Sequence, residues 1–161
     1  MAVFTAAEGL EMAMEIEKNG EVFYNEVAAK SADPEVKALL EDLAVQERGH
    51  YRVFQQMLGD VKPAPDLPAA EYDQYRTYVQ VALENALGCC SSAFAGSDKA
   101  LALAKQAEDR ETVLRAALGF EKDTLLFFYD LRDMVAEADR GAISNVIREE
   151  KKHLRRLAGM L

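Results

Sequence analysis

The amino-acid sequence predicts an all-α protein, an antiparallel four-helix bundle made of two helical hairpins. Three observations favour this fold. The composition is rich in good helix formers and includes only four prolines among 161 residues. Apolar residues recur at steps of three and four along four long segments, which is the spacing of helices packed in a bundle. Motifs of the first half also return in the second half, so the hairpin is expected to occur twice.

The first hairpin is predicted to cover residues 5–58. A T-x-x-E capping box at residues 5–8 starts a helix that is expected to extend to about residue 30. Asp33-Pro34 combines an N-cap with a proline in the first helical position, and it predicts a second helix. Gly59 is expected to end that helix after residue 58.

The second hairpin is predicted to cover residues 109–161. Asp109 is a candidate N-cap for a long helix that extends to about residue 135. The segment 139–141, Asp-Arg-Gly, is interpreted as a break. A last helix is then expected over about residues 142–160.

A long crossover, residues 59–108, is predicted to join the two hairpins within a single domain. Three prolines near its start indicate a loop, and extra short helices are expected after it. The internal repeat supports this division, because the second hairpin repeats the motifs of the first at offsets of 103 and 104 residues. The repeated motifs are Glu17-Lys18 with Phe23-Tyr24, Glu121-Lys122 with Phe127-Phe128, Glu47-Arg-Gly-His50 and Glu150-Lys-Lys-His153. Two antiparallel hairpins with one long crossover form a ferritin-like topology.

The composition disfavours several classes of partner and location. The formal net charge of -9 disfavours nucleic acid and anionic membrane surfaces as partners. No stretch approaches the roughly 18 apolar residues that a membrane span needs, and the first residues do not resemble a signal peptide. Cys89 and Cys90 are adjacent and give no reason to expect an oxidising compartment. We therefore expect a cytoplasmic protein.

The four apolar stripes are each interrupted near the middle by ionisable residues. These are Glu17, Glu47, His50, Glu121, Glu150 and His153. Charged groups on the core side of a helix are costly unless they are paired or bound to a metal. At 1.5 Å per residue, Glu17 and Glu47 lie at about the same height above the turn between their helices. The matching heights predict one common site.

The residue types in this site indicate a pair of metal ions. Each of the two histidines in the chain has a glutamate three positions before it, and this spacing places both side chains on one helix face. Four carboxylates and two neutral imidazoles balance the charge of two divalent ions. Such ligands suit iron or manganese better than a metal that prefers thiolates. The alternative is a pair of solvated Glu-x-x-His motifs, which would not explain their place on the apolar stripes.

The local sequences resemble those of rubrerythrins, which belong to the ferritin-like di-iron carboxylate proteins. The likeness is carried by Glu17-Lys-Asn-Gly-Glu-Val-Phe-Tyr24, Val45-Gln-Glu-Arg-Gly-His50 and Phe120-Glu-Lys-Asp-Thr-Leu-Leu-Phe-Phe128. It implies two bound iron ions, for which manganese or zinc could substitute, and it implies that the same six residues are their ligands. It further implies that Glu17 and Glu121 each chelate one ion, whereas Glu47 and Glu150 bridge both. Tyr24 is implied to be hydrogen-bonded to a ligand carboxylate.

The sequence departs from its relatives at three points. It lacks the paired Cys-x-x-Cys motifs of a rubredoxin-like domain, so electrons are expected from a separate donor protein. Rubrerythrins carry an additional glutamate three positions after the third-helix ligand, where this chain has Thr124, and that carboxylate belongs to the metal movement of the peroxidase mechanism. Bacterioferritins place a haem-binding methionine directly after the second-helix glutamate. Arg48 occupies that position here, so no haem is expected.

Three functions are compatible with these observations. The first is an oxidoreductase that reduces peroxide or dioxygen, for which a homodimer would be sufficient. The second is a ferroxidase or iron-binding protein in iron storage or detoxification, which for storage would need a closed shell. The third is a bundle that uses its metal structurally and acts in protein association. The family resemblance favours the oxidoreductase.

Overall fold

A computed structural model gives the architecture, and it describes residues 6–60 and 109–161. These residues form four long helices and contain no strand. The helices are α1 (Ala6–Lys30), α2 (Pro34–Asp60), α3 (Arg110–Met134) and α4 (Arg140–Ala158). The predicted all-α four-helix fold is confirmed. The expected short helices of the crossover and the capping residue Thr5 lie outside the described residues.

Two of the predicted helix starts are fixed by aspartate caps. Asp33 Oδ1 accepts hydrogen bonds from the backbone N–H groups of Glu35 (2.9 Å) and Val36 (3.3 Å). Asp109 accepts from the backbone N–H of Thr112 (2.9 Å) and from its hydroxyl (2.6 Å). Because the first N–H groups of a helix have no partner within it, these carboxylates stabilise the starts of α2 and α3.

Two predicted boundaries were wrong by about two residues. Gly59 does not end α2, which continues to Asp60. The predicted break between the last two helices exists, but it lies at residues 135–139 and not at 139–141, since α4 already begins at Arg140. Asp139 has right-handed helical backbone angles and makes no side-chain cap, so the turn before α4 leads directly into the helix. At its other end α4 stops at Ala158, and residues 159–160 form a turn.

The contacts of Arg110 establish the direction of the helices. This first residue of α3 forms an ion pair with Asp33 in the α1–α2 turn, and its Nη2 donates to the carbonyl of Met160 after α4 (3.1 Å). The end of α1, the start of α3 and the end of α4 therefore meet at one end of the bundle. Thus α3 is antiparallel to α1 and α4, and α2 ends at the opposite end.

The four predicted stripes form the core of the bundle. The stripes consist of Leu10, Ala13, Glu17, Gly20, Tyr24 and Val27 in α1, of Val36, Leu39, Leu43, Glu47, His50, Phe54 and Met57 in α2, of Ala117, Glu121, Thr124, Phe128, Leu131 and Val135 along α3, and of Ile143, Val146, Glu150, His153, Leu157 and Met160 along α4. Every one of these residues is buried except Met57 and Met160, which are half-buried. Phe23 of α1 and Phe120 of α3 lie beside the stripes and stack with ring centroids 6.0 Å apart. Each fully buried side chain of this size contributes about 1.5–3 kcal/mol to folding, so these rings help to hold α1 against α3.

Within residues 6–60 and 109–161, no helix combines the length and the apolar character needed to cross a bilayer.

Candidate metal centre

Six buried side chains from all four helices meet at the middle of the bundle. Their donor atoms form two overlapping groups, and within each group the atoms lie within 4.8 Å of one another. We name these groups site A (Glu17, Glu47, His50 and Glu150) and site B (Glu47, Glu121, Glu150 and His153). The structure thus brings together all six residues that interrupt the stripes, and each is at most 3% exposed.

Glu47 and Glu150 belong to both sites, and each directs its two oxygens toward different histidines. Glu150 Oε1 lies 2.6 Å from His50 Nδ1, and its Oε2 lies 3.0 Å from His153 Nδ1. Glu47 Oε2 lies 3.9 Å from His50 Nδ1, and its Oε1 lies 3.5 Å from His153 Nδ1. This division of its oxygens allows a carboxylate to contact two metal ions at once.

The other two carboxylates each belong to one site. Glu17 Oε2 lies 3.5 Å from His50 Nδ1, and Glu121 Oε1 lies 3.4 Å from His153 Nδ1. The two imidazole rings are nearly parallel, with centroids 5.7 Å apart. The two sites are therefore related in the same way as the two halves of the sequence.

Most donor atoms of the two sites make no well-aligned hydrogen bond among the described residues, although each carboxylate lies near a histidine Nδ1, and this provides a test of whether a metal fits. The atoms without such a bond are both oxygens of Glu17, Glu47 and Glu150, Oε2 of Glu121, and Nδ1 of His50 and His153. A buried polar atom without a hydrogen bond costs about 1–3 kcal/mol. Converging carboxylate oxygens and imidazole nitrogens are ligands that suit divalent iron or manganese. The donor set fits a metal.

Comparison with known proteins gives a family match and a structural match. The Rubrerythrin family model matches residues 8–161. The chain belongs to the rubrerythrin family. A crystal structure from Thermotoga maritima, provisionally described as a ferritin-like diiron-carboxylate protein, is similar with a TM-score of 0.67 and 23% identity over 98% of this chain and 94% of that chain. This likeness supports the four-helix fold. No curated protein matches the sequence.

The outer nitrogen of each histidine binds a side chain of the opposite hairpin. His50 Nε2 lies 2.8 Å from Glu149 Oε2, and His153 Nε2 lies 2.9 Å from Gln46 Oε1. These bonds hold each ring with Nδ1 toward the carboxylates, as metal-binding histidines are held by outer partners. Neither partner was predicted from the sequence. Each directly precedes a shared glutamate of this rubrerythrin-family chain, but it lies beside the apolar stripe and has the pattern of an ordinary surface residue.

Tyr24 extends from α1 to α3 beside site B. Its hydroxyl donates a hydrogen bond to Glu121 Oε1. The family resemblance implied such a bond between Tyr24 and one of the six central residues. Burial, followed by the nearby charge of Glu121, raises the pKa of Tyr24 well above its usual value. The phenol therefore keeps its proton at neutral pH.

Burial and crowding divide the carboxylates into two kinds. Burial, followed by the neighbouring charge of Glu47, raises the pKa of Glu17, and burial with the charge of Glu150 raises the pKa of Glu121. Burial also opposes ionisation of Glu47 and Glu150, but close contacts with neighbouring groups, including both histidines, lower the pKa of both. Each shared carboxylate is thus ionised more readily than the two outer ones.

The histidines are the positive groups of the cluster. Burial opposes their charged form, yet contacts with Glu150 and Glu17 raise the pKa of His50, and contacts with Glu121 and Glu150 raise the pKa of His153 to about 12. Protons on the imidazoles therefore compensate the ionised carboxylates. A metal ion that binds Nδ1 must displace such a proton.

Thr124 occupies the position of the additional glutamate of rubrerythrins, and Gly20 is its equivalent in the first hairpin. Thr124 is fully buried, and its hydroxyl has no hydrogen-bond partner among the described residues. At Gly20 an added Cβ would lie 3.0 Å from the ring of Phe120 and 3.2 Å from Cγ of Glu47. Position 20 consequently has no room for a carboxylate side chain unless Phe120 moves. Arg48, next to Glu47, forms an ion pair with Glu21 at the surface (2.5 Å).

Proposed function

We propose that this rubrerythrin-family protein binds two iron ions at sites A and B and reduces peroxide or dioxygen with electrons from a separate donor protein. The observation that carries the proposal is the placement of Glu47 and Glu150, each with one oxygen toward each site. Carboxylates placed in this way can bridge two ions, one in each site.

The six side chains divide naturally between the ions. Glu17 and His50 would hold one ion at site A, Glu121 and His153 would hold the other at site B, and the two shared carboxylates would contact both. Four negative charges and two neutral imidazoles balance two divalent ions, so the filled centre carries no net charge in the core. Manganese or zinc could occupy the same ligands.

Bound ferrous iron would supply one electron from each ion, and reduction of hydrogen peroxide to two waters consumes two electrons and two protons. The protein's own contribution is positioning and protons. Tyr24 holds a proton on its hydroxyl next to Glu121, and the burial of the ligands limits the access of bulk water. The outer hydrogen bonds to the imidazoles keep both Nδ1 atoms directed inward.

The supply of electrons forms a separate part of the proposal. The sequence contains no Cys-x-x-Cys pair, since Cys89 and Cys90 are its only cysteines. These residues offer no rubredoxin-type iron site as a source of electrons, so we propose a separate donor protein. A homodimer in the cytoplasm is the setting we propose for this reaction.

The proposal is tested by adding ferrous iron to the metal-free protein under anaerobic conditions and then adding hydrogen peroxide. We expect two tightly bound ions per chain, followed by a near-ultraviolet absorption band of protein-bound ferric iron. With an artificial reductant, peroxide should be consumed repeatedly. One ion per chain at saturation, or no oxidation by peroxide or air, contradicts the proposal. Continued uptake of iron far beyond two ions would indicate iron storage instead.

A further inference from the structure

The outer partners of the two histidines occupy equivalent positions of the repeat but differ in charge. Gln46 precedes Glu47, and Glu149 precedes Glu150, at the same offset of 103 residues that relates the two Glu-x-x-His motifs. Each contacts the histidine of the opposite hairpin. The two sites are thus alike in their inner ligands and unlike in the groups behind them.

At site A the group behind the histidine is a carboxylate. Glu149 Oε2 lies 2.8 Å from His50 Nε2, and the Glu149 side chain is 48% exposed. A carboxylate that accepts the outer N–H of an imidazole raises the basicity of the ring and strengthens its inner nitrogen as a metal ligand. Partial exposure screens this effect but leaves the hydrogen bond in place.

At site B the group behind the histidine is a neutral amide. Gln46 Nε2 donates to Asp42 Oδ2 (2.8 Å), which leaves Gln46 Oε1 to accept from His153 Nε2 (2.9 Å). Asp42 also forms an ion pair with Arg156 (2.6 Å). Arg156 therefore compensates the negative charge of Asp42, and Gln46 transmits little of that charge to the imidazole of His153. His153 therefore receives less negative charge from its outer partner than His50 does.

A second difference between the sites acts in the same direction. Tyr24 donates its hydroxyl to Glu121 of site B. The repeat-related residue is Phe128, which has no hydroxyl, and both oxygens of Glu17 at site A have no hydrogen-bond partner among the described residues. A donor on a ligand carboxylate withdraws negative charge from it. Site A is thus the more negative site on two independent counts.

We propose that the two sites differ in affinity, that site A fills first, and that Glu149 and Gln46 are positioning residues that set this order through His50 and His153. The inference rests on the proposed function only in that both sites must bind a metal. It requires neither iron nor turnover.

Zinc provides the test because it binds the same ligand types without redox chemistry. The chain contains only two histidines, so 15N-histidine labelling gives a spectrum in which each imidazole is resolved and can be assigned with His50→Gln and His153→Gln variants. Zinc is added stepwise to the metal-free protein near neutral pH. The Nδ1 signals then report which site is occupied at each step.

In the parent protein, the first equivalent of zinc should shift the His50 signals at least several-fold more completely than the His153 signals. Substitutions of outer partners change metal affinity by about 10–100-fold. Glu149→Gln should therefore weaken site A by about tenfold and abolish most of the preference. The double variant Gln46→Glu/Glu149→Gln exchanges the two outer groups without changing the net charge, and it should reverse the order. Glu41→Gln, an exposed change with the same loss of charge, should leave the order as it is.

The outcomes separate this inference from the proposed function. Simultaneous filling in the parent protein, or filling of site A first in the double variant, contradicts the inequality of the sites while leaving two metal sites intact. Zinc that shifts the signals of neither ring contradicts the metal centre itself. The single variant Gln46→Glu gives a further check, since it should strengthen site B alone.

Discussion

The hydroxyl of Tyr24 donates to the carboxylate of Glu121 across the interface between α1 and α3, and both residues are fully buried. The bond joins residues 97 positions apart. Removing it leaves a buried carboxyl oxygen without its donor. Tyr24→Phe should therefore lower the free energy of unfolding of the metal-free protein by about 1 kcal/mol, measured by urea denaturation. Tyr51→Phe, at a half-buried position of α2, should change it by less than about 0.5 kcal/mol.

The shared carboxylates allow a second prediction. Glu47 and Glu150 contact both sites, so Glu47→Ala or Glu150→Ala should abolish the binding of two metal ions altogether. Glu17→Ala removes a ligand from site A only and should retain about one ion per chain. Elemental analysis after ferrous reconstitution measures the difference. Glu41→Ala and Glu137→Ala change exposed residues and should retain the full metal content. If Glu41→Ala disturbs the metal content as much as Glu47→Ala, the assignment of the inner helix faces is wrong.

The proton balance of the cluster predicts how the metal-free protein responds to pH. The folded-state pKa of both histidines is raised above 6.5, for His153 to about 12. The stability that the two histidines contribute is therefore complete below pH 6.5 and is lost as the pH rises toward their folded-state pKa values. The raised pKa values of Glu17 and Glu121 act in the same direction above pH 4.5. The lowered pKa values of Glu47 and Glu150 give stability that is already complete at pH 6.5.

The free energy of unfolding of the metal-free protein should therefore fall between pH 6.5 and about pH 9, by up to about 1.4 kcal/mol per pH unit for each histidine, and its melting temperature should fall with it. A metal ion replaces the displaced protons, so metal affinity should rise over the same range. At a free metal concentration about 100 times the dissociation constant, the metal should add about 2.7 kcal/mol, or roughly 5–10 °C in Tm. Equal melting temperatures with and without metal would contradict a core metal site.

The contact between Gly20 and Phe120 predicts a cost for a single methyl group. A Cβ at position 20 would lie 3.0 Å from a ring that is itself buried and stacked on Phe23. Gly20→Ala gains about 1 kcal/mol in helix propensity, but the overpacking costs about 1–3 kcal/mol. The added methyl group would also lie 3.2 Å from Cγ of Glu47 and press on that side chain. We expect a net loss of stability by up to about 2 kcal/mol and weaker metal binding. Gly119→Ala, where nothing lies within 4 Å of the added Cβ, should be neutral or stabilising.

The six central residues could be predicted because hydrophobic periodicity determines which face of a helix is buried. A charged residue on an apolar stripe remains on the core side whatever the details of packing. The starts of α2 and α3 could also be predicted, because Asp33 and Asp109 each accept a hydrogen bond from the first turn of the helix that they cap. These features depend on a few consecutive residues, and the sequence contains them.

Gln46 and Glu149 could not be found in the same way. They lie beside the stripes and are not buried, so periodicity treats them as ordinary surface residues. Their role depends on contacts between α2 and α4, which involve the rotamers of two side chains from opposite hairpins. The place of Phe120 beside Gly20 depends likewise on how closely α1 approaches α3. Such details follow from tertiary packing and have no signature in one helix.

The mixed origin of each site has a consequence for how such a protein could arise and assemble. Site A takes three residues from the first hairpin and Glu150 from the second, whereas site B takes Glu47 from the first hairpin and three residues from the second. A half-length ancestor with one glutamate and one Glu-x-x-His motif would have had only incomplete sites, and two associated copies would have completed both together. In the present chain neither site is complete until the hairpins have docked. A metal ion bound at either site would therefore hold one half of the molecule against the other.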